Sequence, residues 1–172
     1  AYLEASDFPV IEVPPEIPLS QLNAEITTAL FTNQAHIIER FENIHQKFMD
    51  IILSGGGPAE IISILADYIN NPVLFEVSYS RELISNWRSL NAEDQELIRA
   101  DYEAFRADRA RRRERRITEQ DFVRGGRRVR RKSIPIVLRD NIYGYLTSWT
   151  YDSELNSYDL SVMEVAATVL SL

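Results

Sequence analysis

Residues 44–77, IHQKFMDIILSGGGPAEIISILADYINNPVLFEV, leave the backbone few choices. A run with apolar residues at helical spacing ends at Gly55-Gly56-Gly57, where glycine accepts the left-handed conformation that a helix C-terminus requires. Pro58 suits the first position of a new helix, because its missing N–H leaves nothing unsatisfied there. Ile61, Ile62, Leu65, Tyr68 and Ile69 then recur at three- and four-residue spacing, so a second helix follows at once. Asn70-Asn71-Pro72 stops it, and the β-branched and aromatic run 73–77 predicts a strand.

Around this segment the chain reads as mixed α and β. The apolar stretch 8–13 is bounded by Pro9, Pro14 and Pro15, which restricts it to an edge strand or an extended arm. Residues 20–53 predict a helix with an interruption near Thr32-Asn33. Its second part places Ile37, Phe41, Ile44, Phe48 and Ile51 at alternating steps of four and three, the spacing of a coiled-coil seam. Such a stripe meets either its own copy in a dimer, the favoured expectation, or the domain beside it. Residues 81–87 fit a second strand. Asn91 suits a helix N-cap, with Glu93 and Asp94 in the first turn and Leu97, Ile98, Tyr102 and Phe105 on one face. Gly125-Gly126 suits a turn between two strands, and 134–151 a hairpin turning at Arg139-Asp140-Asn141. A closing helix over 158–172 is apolar on more than one side, as expected where a helix is buried.

Charge is unevenly spread. Residues 106–132 hold 13 of the 19 Lys and Arg against Asp108, Glu114, Glu119 and Asp121, a local net of +9 that leaves −16 for the rest of a chain whose total is −7. Three readings of this block are open: a solvated helix end and loop, a partner for the acidic remainder, or a site for phosphate groups. Arginine supplies 12 of the 13, and its planar fork suits carboxylate or phosphate. The block offers no recognition helix for reading DNA sequence.

The 44–77 segment resembles the start of the sensor region of PucR-type bacterial transcription regulators (purine catabolism regulator-like), where a helix ends in a Gly-rich break, a short helix follows, and an NPV strand opens a GAF-like domain. SIPIVLRDNIYGYLTSW, residues 133–149, is similar to that family's hairpin, and DLSVMEVAATVLSL, residues 159–172, to its closing helix. DFPVIEVPPEIPLSQLNAEI, residues 7–26, resembles the tail of the input domain that precedes the sensor. The resemblance implies an α+β fold: a GAF-like domain, an antiparallel sheet with flanking helices, preceded by a long connecting helix. It divides the chain into the tail of an upstream domain (1–19), a connecting and dimerising helix (20–53) and a sensor (54–172). It also implies a cytoplasmic, non-enzymatic homodimer that needs no cofactor and answers a small-molecule effector, with purine-related metabolites suggested. Its output would pass to a DNA-binding helix-turn-helix outside these residues. The start at Ala1 and the stop at Leu172 within a helical pattern agree with a segment of a longer polypeptide.

Catalytic patterns are missing from the sequence. There is no cysteine, Pro58-Ala59-Glu60 stands where a phosphate-binding loop needs Gly-Lys-Ser/Thr, and His36 and His45 lie about half a helical turn apart. In a GAF-like domain the residues able to line a pocket are Trp87, Tyr102 and Phe105 over the sheet, Phe75, Phe122, Tyr143 and Tyr145 from strands, and Arg88 or Arg124 for charge. A plain core or half-buried position is the favoured expectation for each aromatic, since aromatics fill cores in any domain of this size. The pocket is expected between the sheet and the 91–105 helix. Two competing functions remain: a nucleic-acid-binding module acting through 106–132, and a structural dimerisation domain with no ligand.

Overall fold

The computed structural model describes residues 13–172 apart from 88, 89, 113, 114, 125 and 152, and leaves out the side chains of residues 33, 36, 110–112, 124 and 127. The extended arm expected over 8–13 therefore lies almost wholly outside the described residues. The elements run α1 (Leu19–Leu53), α2 (Pro58–Ile69), β1 (Val73–Val77), β2 (Leu83–Asn86), α3 (Ala92–Arg112), β3 (Thr118–Arg124), β4 (Arg127–Leu138), β5 (Asn141–Trp149) and α4 (Ser157–Val169). The fold is α+β, with a five-stranded, wholly antiparallel sheet in the order β2-β1-β5-β4-β3. The chain forms two compact units, Ala1–Arg40 and Phe41–Leu172.

Local chemistry explains the element ends. Gly55, at φ +80°, closes α1 with the paired bonds of a Schellman motif, Gly56 N–H to Ile51 O (2.8 Å) and Gly55 N–H to Ile52 O (3.0 Å). Glu60 reaches back to accept from the Gly57 N–H (3.0 Å), Pro58 opens α2, and Asn70 ends it in the left-handed conformation. Asn91 caps α3 by accepting from the Asp94 N–H (2.9 Å). Asn156 and Asp159 form a reciprocal box at the start of α4. Between β4 and β5, Arg139 and Asp140 both take positive φ, the geometry of a two-residue hairpin whose twist matches its strands. The expected break at Thr32-Asn33 does not occur: α1 runs through it. Neither residue lacks a backbone donor, and their helix propensities fall short by only a few tenths of a kcal/mol each.

In the second unit, α2, α4 and residues 41–53 of α1 cover one face of the sheet. Phe75, Ile134, Ile136 and Leu146 meet Ile61, Leu65, Val162, Met163, Ile44 and Phe48 in one core. This corrects the dimer stripe. Ile44 and Phe48 are fully buried in their own chain and Phe41 and Ile51 are half-buried beside them, so that face of the helix is already occupied. Ile37, in the first unit, is exposed. The compact unit thus takes in 41–53, which the sequence reading assigned to the connecting helix.

On the opposite face, α3 packs through large side chains. Leu74, Val129 and Trp149 from the sheet meet Ile98 and Tyr102, with Trp149 stacked on Trp87 (5.9 Å between ring centres) and edge-on to Tyr102 (6.2 Å). The sheet leaves no room for error where β1 and β5 pair. A methyl group at Gly144 would run into the Glu76 carbonyl oxygen and the Phe75 ring. Gly144→Ala is expected to destabilise the fold by about 1–3 kcal/mol, whereas Gly126→Ala, in open space, should cost only its backbone strain, about 1 kcal/mol. Urea unfolding of the two variants checks the ranking.

Candidate ligand-binding site beneath helix α3

Strand alternation decides which side chains face α3. Along β1, Phe75 points into the α2/α4 core and Glu76 to the other side, where it lies opposite Tyr145 of β5. The register between β4 and β5 shifts: Ile136 pairs with Gly144 but Val137 with Ile142, so Tyr143 has no partner and forms a bulge. The bulge lays Tyr143 against Phe75 (6.3 Å between ring centres) and brings Ile142 to the same side as Tyr145.

Helix α3 meets these strands with a stripe spaced four, three and four: Ile98, Tyr102, Phe105, Arg109. The last member is a cation on an apolar stripe, and it is buried. Its partner is the buried Glu76 carboxylate, which accepts hydrogen bonds from the Tyr102 hydroxyl and from Arg109 Nη2 and is paired with Arg106 Nε (3.0 Å). The Arg109 guanidinium carbon also lies over the Tyr145 ring, 3.4 Å from its centre, and 5.2 Å from that of Phe105. Burial, and then the hydrogen bond to Glu76, pushes the Tyr102 phenol up, so it stays protonated and donates. Arg109 Nη1 is buried with no hydrogen-bond partner among the described residues.

Beside this network opens a cavity of about 760 Å³. Ser78 and Arg81 border it from the β1–β2 connection, Glu103, Arg106 and Arg109 from α3, Arg115 from the segment after α3, and Ile142 and Tyr145 from β5. Further along α3, Arg131 Nη1 donates to both Asp101 oxygens (2.7 and 2.6 Å), Trp149 Nε1 donates to Asp101 Oδ2 (2.9 Å), and the Arg131 guanidinium covers Phe105. Much of the basic block therefore meets the chain's own acids. At the sheet edge Asp121 accepts from Arg130 Nε (2.7 Å) and Arg128 Nε (3.1 Å), and these bonds, Arg130's first, hold its carboxyl down to about 2.

The aromatic residues expected to share a pocket are split between the two faces of the sheet. Phe75 and Tyr143 belong to the α2/α4 side; Trp87, Tyr102, Phe105, Phe122 and Tyr145 lie on the α3 side, and of these Tyr145 lines the cavity. Tyr102 is consumed by Glu76, Trp87 by Trp149, and Phe105 and Phe122 by the small core around them. Arg88 and the Arg124 side chain lie outside the described residues. Glu76 and Arg81 are not among the residues expected from the sequence, and Arg106, Arg109 and Arg115 are there only as members of the basic block 106–132. Two signals pointed to the pair at the centre: a glutamate inside an otherwise apolar strand, and an arginine at the next position of an apolar helical stripe. No group of three or more His, Cys, Asp or Glu among the described residues is placed to hold a metal ion, and no helix among them is long and apolar enough to cross a membrane.

Compared with known proteins, the chain matches no family model and no curated protein sequence.

Removing one member of a buried ion pair strands the other. Glu76→Ala is expected to cost about 3–5 kcal/mol, and Glu76→Leu combined with Arg109→Met to recover most of it, read by urea unfolding of the single and double variants. Asp121 gives a pH signature. Its folded pKa of about 2 lies below the unfolded value of about 3.9, so its contribution is present above that value and lost as pH falls toward 2. Asp121→Asn should therefore lower the melting temperature at pH 7, by an amount that shrinks as pH falls below about 4 and vanishes only below about pH 2.

Proposed function

We propose that this chain is the regulatory, signal-sensing segment of a PucR-like bacterial transcription regulator, with residues 41–172 forming a GAF-like sensor that binds a small effector beneath α3. The observation that carries the reading is the cavity of about 760 Å³ between sheet and helix, large enough for a metabolite and bordered by polar side chains. The antiparallel sheet with flanking helices and the long preceding helix match what the resemblance implies. An effector acts here by population shift, favouring one packing of α3 on the sheet. Glu76 and Phe75 are neighbours on β1, one facing the cavity and the other the core that holds residues 44 and 48 of α1, so a change under α3 has a short path to that helix. The output domain lies outside these residues. Dimerisation then uses the exposed apolar positions of the first unit, Ile26, Leu30 and Ile37, which stand at coiled-coil spacing.

Two readings of one sample test this. Purine and ureide metabolites are screened by melting temperature; an effector at 100 times its Kd adds about 2.7 kcal/mol, or about 5–10 °C for a domain of this size. Amide hydrogen exchange in residues 41–53 should slow with it, and sedimentation should show a dimer that Ile26→Glu with Leu30→Glu dissociates. A panel that moves neither melting nor exchange, on a chain that sediments as a monomer at high micromolar concentration, overturns the reading.

A further inference from the structure

We propose that the cavity beneath α3 takes a small organic dianion, a dicarboxylate or a phosphate monoester; this rests on the sensor reading above and gives its ligand a chemical class. The cavity's border carries four arginines, Arg81, Arg106, Arg109 and Arg115, against two carboxylates, Glu76 and Glu103. Glu76 is matched by Arg106 and Arg109, and Glu103 lies 3.7 Å from Arg106. Arg81 and Arg115 border the same space, and no carboxylate among the described residues pairs with either. The lining thus holds two positive charges in excess, the complement of a doubly charged anion.

A second observation points the same way. Arg109 is only 5% exposed, yet its Nη1 has no acceptor among the described residues. A buried guanidinium donor without an acceptor is costly, and an oxyanion is the acceptor its planar fork suits best. On the far side Ile142 and the Tyr145 ring offer an apolar wall for a carbon skeleton. The remainder of the chain outside residues 106–132 carries a net of −16, so a cavity with a positive border stands out as the place for an anion.

In this arrangement the ligand competes with Glu76. An anion entering beside Arg106 shares the cation that now neutralises the Glu76 carboxylate, and the ion network under α3 rearranges. Arg81 and Arg115 supply charge at the rim without entering the buried network, which makes them the cleanest positions for a test.

The experiment is calorimetric titration of the 172-residue chain with succinate and with glycerol 3-phosphate, against succinamide and glycerol as uncharged counterparts, with ionic strength held constant by potassium chloride. The expected result is saturable one-to-one binding of at least one dianion, none of the uncharged partners, and a tenfold or greater loss of affinity in Arg81→Ser with Arg115→Ser. Which dianion binds separates carboxylate from phosphate as the source of the charge. Dianion affinity unchanged in that double variant overturns the site, since the anions then sit elsewhere. Binding of neutral purines or ureides with no dianion bound overturns the dianion class and leaves the sensor reading intact. Dianion binding that leaves hydrogen exchange in residues 41–53 unaltered supports the site and removes the sensor reading.

Discussion

A carboxylate in the middle of a strand covered on both faces governs how half of this molecule is assembled. Glu76 sits where the β1 pattern calls for an apolar residue, and leaving it charged and unpaired there would cost several kcal/mol. Tyr102, Arg106 and Arg109 meet it from successive turns of α3. That helix has little apolar surface of its own: beyond Leu97, Ile98, Tyr102, Phe105 and scattered alanines its residues are polar or charged. Its position along the sheet is therefore set by charge pairing more than by burial. The pairing is directional, and that fixes which face of α3 looks down on β1 and β5 and where the space beside it opens.

The two faces of the sheet differ in kind. Toward α2 and α4 the contacts are aliphatic and aromatic, with large side chains fully buried and close-packed. Toward α3 they are long, polar or stacked: guanidinium on ring, indole on indole, carboxylate under phenol. Aliphatic packing tolerates few alternative arrangements. A layer held by arginines has several, because a guanidinium can exchange one acceptor for another at similar energy. The cavity of about 760 Å³ opens on this second face, while others of about 420 and 530 Å³ lie beside α4 and between α1 and α2.

Much of the scaffold was legible in the sequence because its signals are local. The Gly55-Gly56-Gly57 break, Pro58, the Asn70 stop and the Asn91 cap each act within a few residues, and the elements begin and end where those residues require. What escaped was non-local. The stripe through Phe41, Ile44, Phe48 and Ile51 was visible, but nothing in a heptad says whether its partner is a copy or the same chain; burial against α2 and α4 decides it. The unpaired Tyr143 shifts the phase of β5, so strict alternation gives Ile142 the wrong face. The arginines of 106–132 read as a block in sequence, yet the fold shares five of them among three acids up to 33 positions away: Arg106 and Arg109 go to Glu76, Arg131 to Asp101, and Arg128 and Arg130 to Asp121.

The burial of Ile44 and Phe48 also bears on how such a unit is inherited and reused. A segment exchanged between proteins at the glycine break would leave behind the helical turns that complete its core and expose the aliphatic floor of α2 and α4. The transferable piece begins in mid-helix, near residue 41, where no turn or change of composition marks the seam. Any partner fused upstream must then leave residues 41–53 free to form the helical turns that close this core.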